Sequence, residues 1–198
     1  MTRLALIRHA PTAWNAEGRI QGRSDIPLSP EGRVMAGAWR LPSDLGGPGW
    51  FWLSSPLRRA RETAALLNPQ GAIRIEDALI EMDWGDWEGS VLADLRARGG
   101  DEMRAAEARG LDFQPPGGES PRMVQQRLAP FLAALGRAGG SHVAVTHKGV
   151  IRALYAQARG WDMIGRPPEK LRQPCVHLFE IDKRGQPSVV QLNLELVL

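Results

Sequence analysis

LALIRHAPTAWN, Leu4 to Asn15, is the stretch from which the fold is read. Its apolar run, Leu4 to Ile7, has the length and composition of a buried strand. The run ends in Arg8 and His9, a guanidinium and an imidazole side by side. Polar groups at the end of a buried strand are costly unless partnered. The partners of this pair must come from elsewhere in the chain.

Two later runs have the same form. Trp50 to Leu53 ends in Ser54-Ser55, with Arg58 and Arg59 one turn further on, and His142 to Thr146 ends in His147. Helical segments lie between these strands. Ser29 as N-cap and Pro30 in the first turn predict a helix to about Arg40. Ser55 and Pro56 predict, by the same signal, a helix over Leu57 to Leu67, apolar at Leu57, Ala60, Ala64 and Leu67. Further helices are expected over Val91 to Arg109, broken at Gly99-Gly100, over Pro121 to Leu135, and over Val150 to Ala158. Ala72 to Glu76 is a weak strand. Pro11 to Pro27 has no apolar period and reads as a long loop, a type that is often functional in compact domains. Val176 to Ile181 and Ser188 to Leu194 flank a turn and predict a hairpin. Strands alternating with helices imply an α/β fold with a mostly parallel sheet.

The length of 198 residues fits one domain, 1 to 198, with about 83–120 as an excursion. A hydrophobic content of 43% supplies a core, and a net charge of +3 is too mild to imply nucleic acid. The single cysteine, Cys175, excludes an internal disulfide and a cysteine-based metal cluster. Neither a signal peptide nor an apolar span of ~20 residues is evident, so no membrane association and a cytoplasmic location are the expectations.

Ligands of open α/β sheets sit outside the carboxyl ends of the strands. Arg8-His9, Ser54-Ser55 with Arg58 and Arg59, and Thr146-His147 would therefore converge. Two imidazoles and at least two arginines suit a phosphoryl group, whose oxygens accept several charge-assisted bonds. The helices after Ser55 and His147 would add free N–H groups at the same place. If a proton must reach a leaving oxygen, Glu81, between Ile80 and Met82, is the natural donor, with Asp83, Asp86 and Glu88 as competitors.

RHAPTAWNAEGRIQGRSDIPLSPEGR, SSPLRRARETA, EMDWGDWEG, PPGGES and VAVTHKGVIRAL occur in this order between residue 4 and about 155. Together they resemble the signatures of the histidine phosphatase superfamily, the phosphoglycerate mutase-like proteins. The resemblance implies a three-layer α/β/α fold with a helical excursion over the site. It implies His9 as a nucleophile that becomes phosphohistidine, and Arg8 and Arg59 as holders of phosphoryl oxygens. Arg59 takes this role, not Arg58, because it directly precedes the alanine of the motif. His147 would donate to the phosphoryl group, and Glu81 would be the general acid. Asn15 would face the phosphoryl group, with Thr12 and Gln21 near the mouth. No cofactor or metal is implied, since the arginines neutralise the phosphate.

Two positions depart from the family pattern. Pro11 stands where an acidic residue is usual, which leaves proton transfer to Glu81. Lys148 stands where glycine usually follows the second histidine, and its ammonium either reaches an anionic substrate or points to solvent. The expected activity is hydrolysis of a small phosphorylated metabolite. Mutases of the family carry a longer insertion between acid and second histidine, so the compact stretch from Glu81 to His147 favours hydrolysis over mutase-type transfer. A catalytically dead ligand-binding member is disfavoured by the intact set His9, Arg59, Glu81 and His147. Small members include α-ribazole phosphate phosphatase of cobalamin synthesis and sugar-phosphate phosphatases, and the sequence selects none of them. His142 and His177 read as strand or surface residues. Arg96, Arg98, Arg104 and Arg109 read as a solvated helix face, and Trp14, Trp84 and Trp87 as mouth or core. Ser188 to Leu194 either finishes the sheet or pairs with a second copy as a homodimer.

Overall fold

The computed structural model describes residues 1–197. Six strands form one sheet in the order β3-β2-β4-β1-β5-β6. They are β1 (Thr2–Arg8), β2 (Trp50–Ser54), β3 (Ile73–Ile75), β4 (Ser141–Thr146), β5 (Cys175–Ile181) and β6 (Pro187–Glu195). The first four are mutually parallel; β5 runs antiparallel to β1 and pairs with β6 as a hairpin at the sheet edge. The expected mostly parallel α/β architecture is thus present, including the weak strand at 73–75.

The side-chain alternation of a strand divides the core into two layers. Leu4 and Leu6 of β1 face one cluster, together with α5 (Pro121–Ala138) and α6 (Lys148–Arg159). Ala5 and Ile7 face the other, with α2 (Pro30–Ala38) and α3 (Arg58–Leu67). Both layers are closed to solvent: Leu128, Leu132, Leu154 and Tyr155 on one side and Ala36, Ala60 and Ala64 on the other are buried. The chain leaves β1 toward one face and β4 toward the other. These two strands are neighbours, so their departing loops open a crevice at the carboxyl edge of the sheet.

Several local expectations shift. The loop after β1 contains a one-turn helix, α1 (Ala13–Ala16). Thr12 caps it, and the Asn15 side chain returns to the Thr12 N–H in a capping box. Four residues are too few to display a helical period. Ser55 and Pro56 do not open α3; its N-cap is Leu57, with no side-chain cap. The Ser55 hydroxyl is used elsewhere, as shown below. α4 (Leu92–Glu107) breaks at Gly100, whose φ of 48° no ordinary helical residue adopts. α5 runs through Pro130 and past Leu135 to Ala138, and α6 begins directly after His147. Among the described residues no helix is long and apolar enough to cross a membrane.

All four histidines are buried, including His142 and His177 in the strands. Burial holds the pKa of His177 down to about 4. The unfolded chain protonates this imidazole below about pH 6.5, whereas the folded chain stays neutral until well below that. Its contribution to stability is complete above that value and is lost as pH falls, by about 1.4 kcal/mol per unit. His177→Gln, which can still accept the Asn193 N–H, should flatten the fall of unfolding free energy between about pH 6 and 4.5 by about one proton. Urea titrations across that range read the slope.

Candidate active site

The register of β1 on β4 builds the centre of the site. Arg8 pairs with Thr146, and the His9 N–H extends the ladder to the Thr146 carbonyl at 2.9 Å. His9 and His147 then emerge together, their rings 5.2 Å apart and inclined at 55°. On the far side of β4, Ser54 pairs with Val145 and the Ser55 N–H reaches the Val145 carbonyl at 3.0 Å. Three segments distant in sequence thus end in one row.

Hydrogen bonds fix which nitrogen of each imidazole is free. His9 Nδ1 lies 2.8 Å from the Ala10 carbonyl, which can only accept, so Nδ1 carries the proton and Nε2 keeps its lone pair. His147 Nε2 lies 2.7 Å from Ser55 Oγ. That oxygen accepts the Leu57 N–H at 3.3 Å and so directs its own proton to His147. The proton of His147 is then on Nδ1, which is buried and without a partner among the described residues. Both imidazoles are held well below their ordinary pKa, first by burial, and then by Arg8 and Arg59 for His9 and by Arg59, His9 and Arg8 for His147. The result is two neutral imidazoles side by side. Ser55, expected only as a helix cap, is the residue that orients His147; the Ser-Ser-Pro signal fitted both roles.

Arg59 is fully buried. Its two terminal nitrogens donate to the carbonyls of Gly22 at 2.6 Å and Ser24 at 2.7 Å, leaving Nε free. These carbonyls belong to a tight loop gathered around Glu88. The Glu88 carboxylate accepts from Arg23 N at 2.6 Å, Ser24 N at 2.9 Å and Ser24 Oγ at 2.6 Å. Gly22 is required there, since a Cβ would lie 1.9 Å from Glu88 Oε1. Glu88, counted above only as a competitor to Glu81, is a positioning residue for Arg59. No spacing rule links it to a loop 64 residues earlier. Arg58 instead turns outward to Glu62.

Arg8 donates to Gln173 and leaves Nε buried and free. Asn15 lines the cavity, and its carbonyl oxygen is taken by Thr12 N at 3.0 Å, which leaves its NH2 group for a ligand. Gln21 also lines the cavity. Thr12 does not; it is buried behind both, its hydroxyl 3.0 Å from Gln21 Oε1 and 3.1 Å from Asn15 Oδ1. Its side chain is spent on capping α1 and on Gln21.

Glu81 is buried and lines the cavity. Its oxygens accept Met82 N at 2.9 Å and Gly149 N at 3.2 Å. Gly149 permits this approach: a Cβ there would lie 2.4 Å from Glu81 Oε1. Behind Glu81, Arg127 binds the carbonyls of Ala78 and Ile80 and pairs with Glu119 at 3.1 Å. Arg23 bridges Glu119 at 3.0 Å and Asp83 at 3.3 Å. Of the competitors, Asp83 and Glu88 are thus engaged in structural bonds, and Asp86 is exposed.

The cavity has a volume of about 710 Å³. Its floor is Arg8, His9, Arg59 and Glu81, and the 83–120 excursion contributes Trp84, Arg96, Arg104 and Phe113 to its wall. Arg96 and Arg104 are therefore not merely a solvated face, although each also pairs with an acid, Glu107 and Asp101. Trp84 lines the cavity, while Trp87 packs against Trp84 and Phe113. Lys148 lines the cavity as well.

Two guanidinium Nε–H groups, of Arg8 and Arg59, and the Nδ1 of His147 behind the cavity lining are thus buried without a partner among the described residues, beside the free ring nitrogen of His9, a donor set of the kind that phosphoryl oxygens accept from. The chain belongs to the histidine phosphatase superfamily (branch 1), whose model matches residues 4–195. It is 36% identical over 202 residues to a 2,3-bisphosphoglycerate-dependent phosphoglycerate mutase of Methylobacterium radiotolerans, covering 97% of this chain and 90% of that one. It is 32% identical over 170 residues to phosphoserine phosphatase 1 of Hydrogenobacter thermophilus, covering 82% and 79%. Among solved structures it is similar to phosphoserine phosphatase of Entamoeba histolytica in complex with 3-phosphoglyceric acid, with TM-score 0.81, 26% identity and 98% of both chains covered. A mycobacterial glucosyl-3-phosphoglycerate phosphatase complexed with VO3 gives TM-score 0.78 at 28% identity, covering 98% of this chain and 99% of that one.

Loss of the Glu88 carboxylate should loosen Arg59 without touching the cavity. Glu88→Gln is expected to weaken inorganic phosphate binding about tenfold, the scale of one charge-assisted hydrogen bond. Calorimetric titration with phosphate checks this, alongside a melting curve showing that the variant is folded.

Proposed function

We propose that the chain is a phosphoric monoester hydrolase that works through a phosphohistidine on His9. The observation that carries this reading is the pairing of a neutral, lone-pair-bearing Nε2 on His9 with unspent donors from Arg8, Arg59 and His147. Nε2 attacks phosphorus in line, and the bond from phosphorus to the ester oxygen breaks. Protonated Glu81 gives its proton to that oxygen, so an alcohol leaves. Arg8, Arg59, His147 and the Asn15 amide stabilise charge on the equatorial oxygens, which is the main protein contribution in phosphoryl transfer. Glu81, now a carboxylate, takes a proton from water as the water attacks the phosphohistidine. Orthophosphate is released, and His9 and Glu81 return to their starting states. Gln21 and Lys148 contact the remainder of the substrate.

A mutase reading keeps one specific support, the Methylobacterium relative named as a mutase, 90% of whose length this chain covers. The compact Glu81–His147 stretch favours hydrolysis, and the two activities differ in their product. Phosphate release does separate them. Hydrolysis predicts steady release of orthophosphate from an aryl phosphate without bisphosphoglycerate. Isomerisation without release supports the mutase.

The role of Glu81 has its own test. Alkoxides need a proton to leave and nitrophenolate does not. Glu81→Gln should slow an alkyl phosphate by about 100-fold or more and p-nitrophenyl phosphate far less. Gly149→Ala, which forces Glu81 aside, should show the same asymmetry in milder form. Equal slowing of both esters in stopped-time phosphate assays removes Glu81 from that role.

A further inference from the structure

A second, smaller cavity of about 220 Å³ adjoins the first, and Lys148 and Arg152 line both. Its other walls include Lys170, Trp161, Gln173 and His177. Three cations therefore face it, and no aspartate or glutamate is among its lining residues. None of the three forms an ion pair among the described residues. Glu169, the acid nearest in sequence to Lys170, is bonded instead to Arg159 and the Tyr155 hydroxyl.

The three cations are not equivalent. Arg152 is half-buried, and its guanidinium lies 5.6 Å from the centre of the Trp161 ring. That contact holds the plane of the group while leaving its N–H edge unspent. Lys148 stands four residues earlier on α6, one turn away on the same face. Its ammonium is destabilised by burial, then by Arg8 and Arg152. A bound anion would relieve that repulsion. His177 is neutral at working pH and adds no charge.

Size decides what kind of occupant this is. Sites for whole small molecules begin at roughly 300 Å³, so the smaller cavity takes a fragment of a ligand whose body lies in the larger one. We propose that the Lys148–Arg152–Lys170 pocket binds a second anionic group of the substrate, a carboxylate or a second phosphoryl group, while the scissile phosphoryl group sits on His9. The proposal rests on the phosphomonoesterase reading and narrows it to bis-anionic esters.

Three esters test it: glycerol 1-phosphate, with no second anion; 3-phosphoglycerate, with a carboxylate in place of the hydroxymethyl group; and propane-1,3-diol bisphosphate. The wild-type protein should prefer at least one of the last two by about tenfold or more in kcat/KM over glycerol 1-phosphate, and which one it prefers identifies the anion. Lys170→Gln and Arg152→Gln should each reduce that ratio by about threefold or more, through KM. Lys170 lies on the surface, so its variant keeps the test valid if Arg152→Gln does not fold. A wild-type ratio below about twofold, or a ratio that both folded variants leave unchanged, overturns the proposal. No phosphate from any ester, p-nitrophenyl phosphate included, overturns the hydrolase reading instead. Calorimetry with the same esters then reads the preference as affinity: a tenfold difference upholds the pocket, and equal affinities overturn it.

Discussion

The parallel pairing of β1 with β4 is the constraint on which the rest of the molecule depends. It aligns Arg8 with Thr146, and everything that follows is one residue further on. A shift of one residue would turn each strand's side chains to the opposite face. Leu4 and Leu6 would then meet α2 and α3 in place of α5 and α6, and both clusters would be lost. The register that packs the two cores is therefore the register that sets the histidine rings 5.2 Å apart. Stability and site geometry are determined by the same ladder.

The electrostatics follow from that placement. Burial and neighbouring guanidinium groups both disfavour imidazolium, so His9 and His147 stay neutral beside two permanent cations. Burying Arg59 is tolerated because its terminal nitrogens are satisfied by backbone carbonyls and its charge faces Glu81 and Glu88. The remaining Nε is buried and without a partner among the described residues. In the proposed reaction a substrate phosphate would meet donors already held in place, with little reorganisation as charge develops.

Much of this was legible in the sequence. Strands that end in chemistry are visible because apolar runs and polar ends alternate sharply at Ile7/Arg8 and Thr146/His147. Family motifs then selected Arg59 over Arg58 and Glu81 over its acidic neighbours. What escaped were the residues that act through others. Ser55 carries a helix-start signal and spends its hydroxyl on a histidine 92 residues away. Glu88 and Gly149 act through closeness to backbone, a property of tertiary approach that no local period encodes. The capping of α1 by Thr12 also escaped, because a four-residue helix is too short to display a period.

The division between floor and wall explains why the chemistry could be read so much further than the substrate. Floor residues come from strand ends and short loops whose positions the sheet dictates. The wall comes from α4 and its flanks, broken at Gly100 and held to the core by few buried side chains, with Met103 the only one in α4. Such a segment can vary without disturbing the register beneath it. Lys148 is the point at which the two parts meet. It begins α6, so its backbone is fixed by the β4 strand end, yet its side chain reaches past the floor to the boundary between both cavities. A glycine there would leave Arg152 as the cation shared by both cavities. A lysine, one turn from Arg152, adds a second cation to that boundary, and in the proposed reading it places discrimination between substrates on the leaving-group side while the phosphoryl machinery stays unchanged.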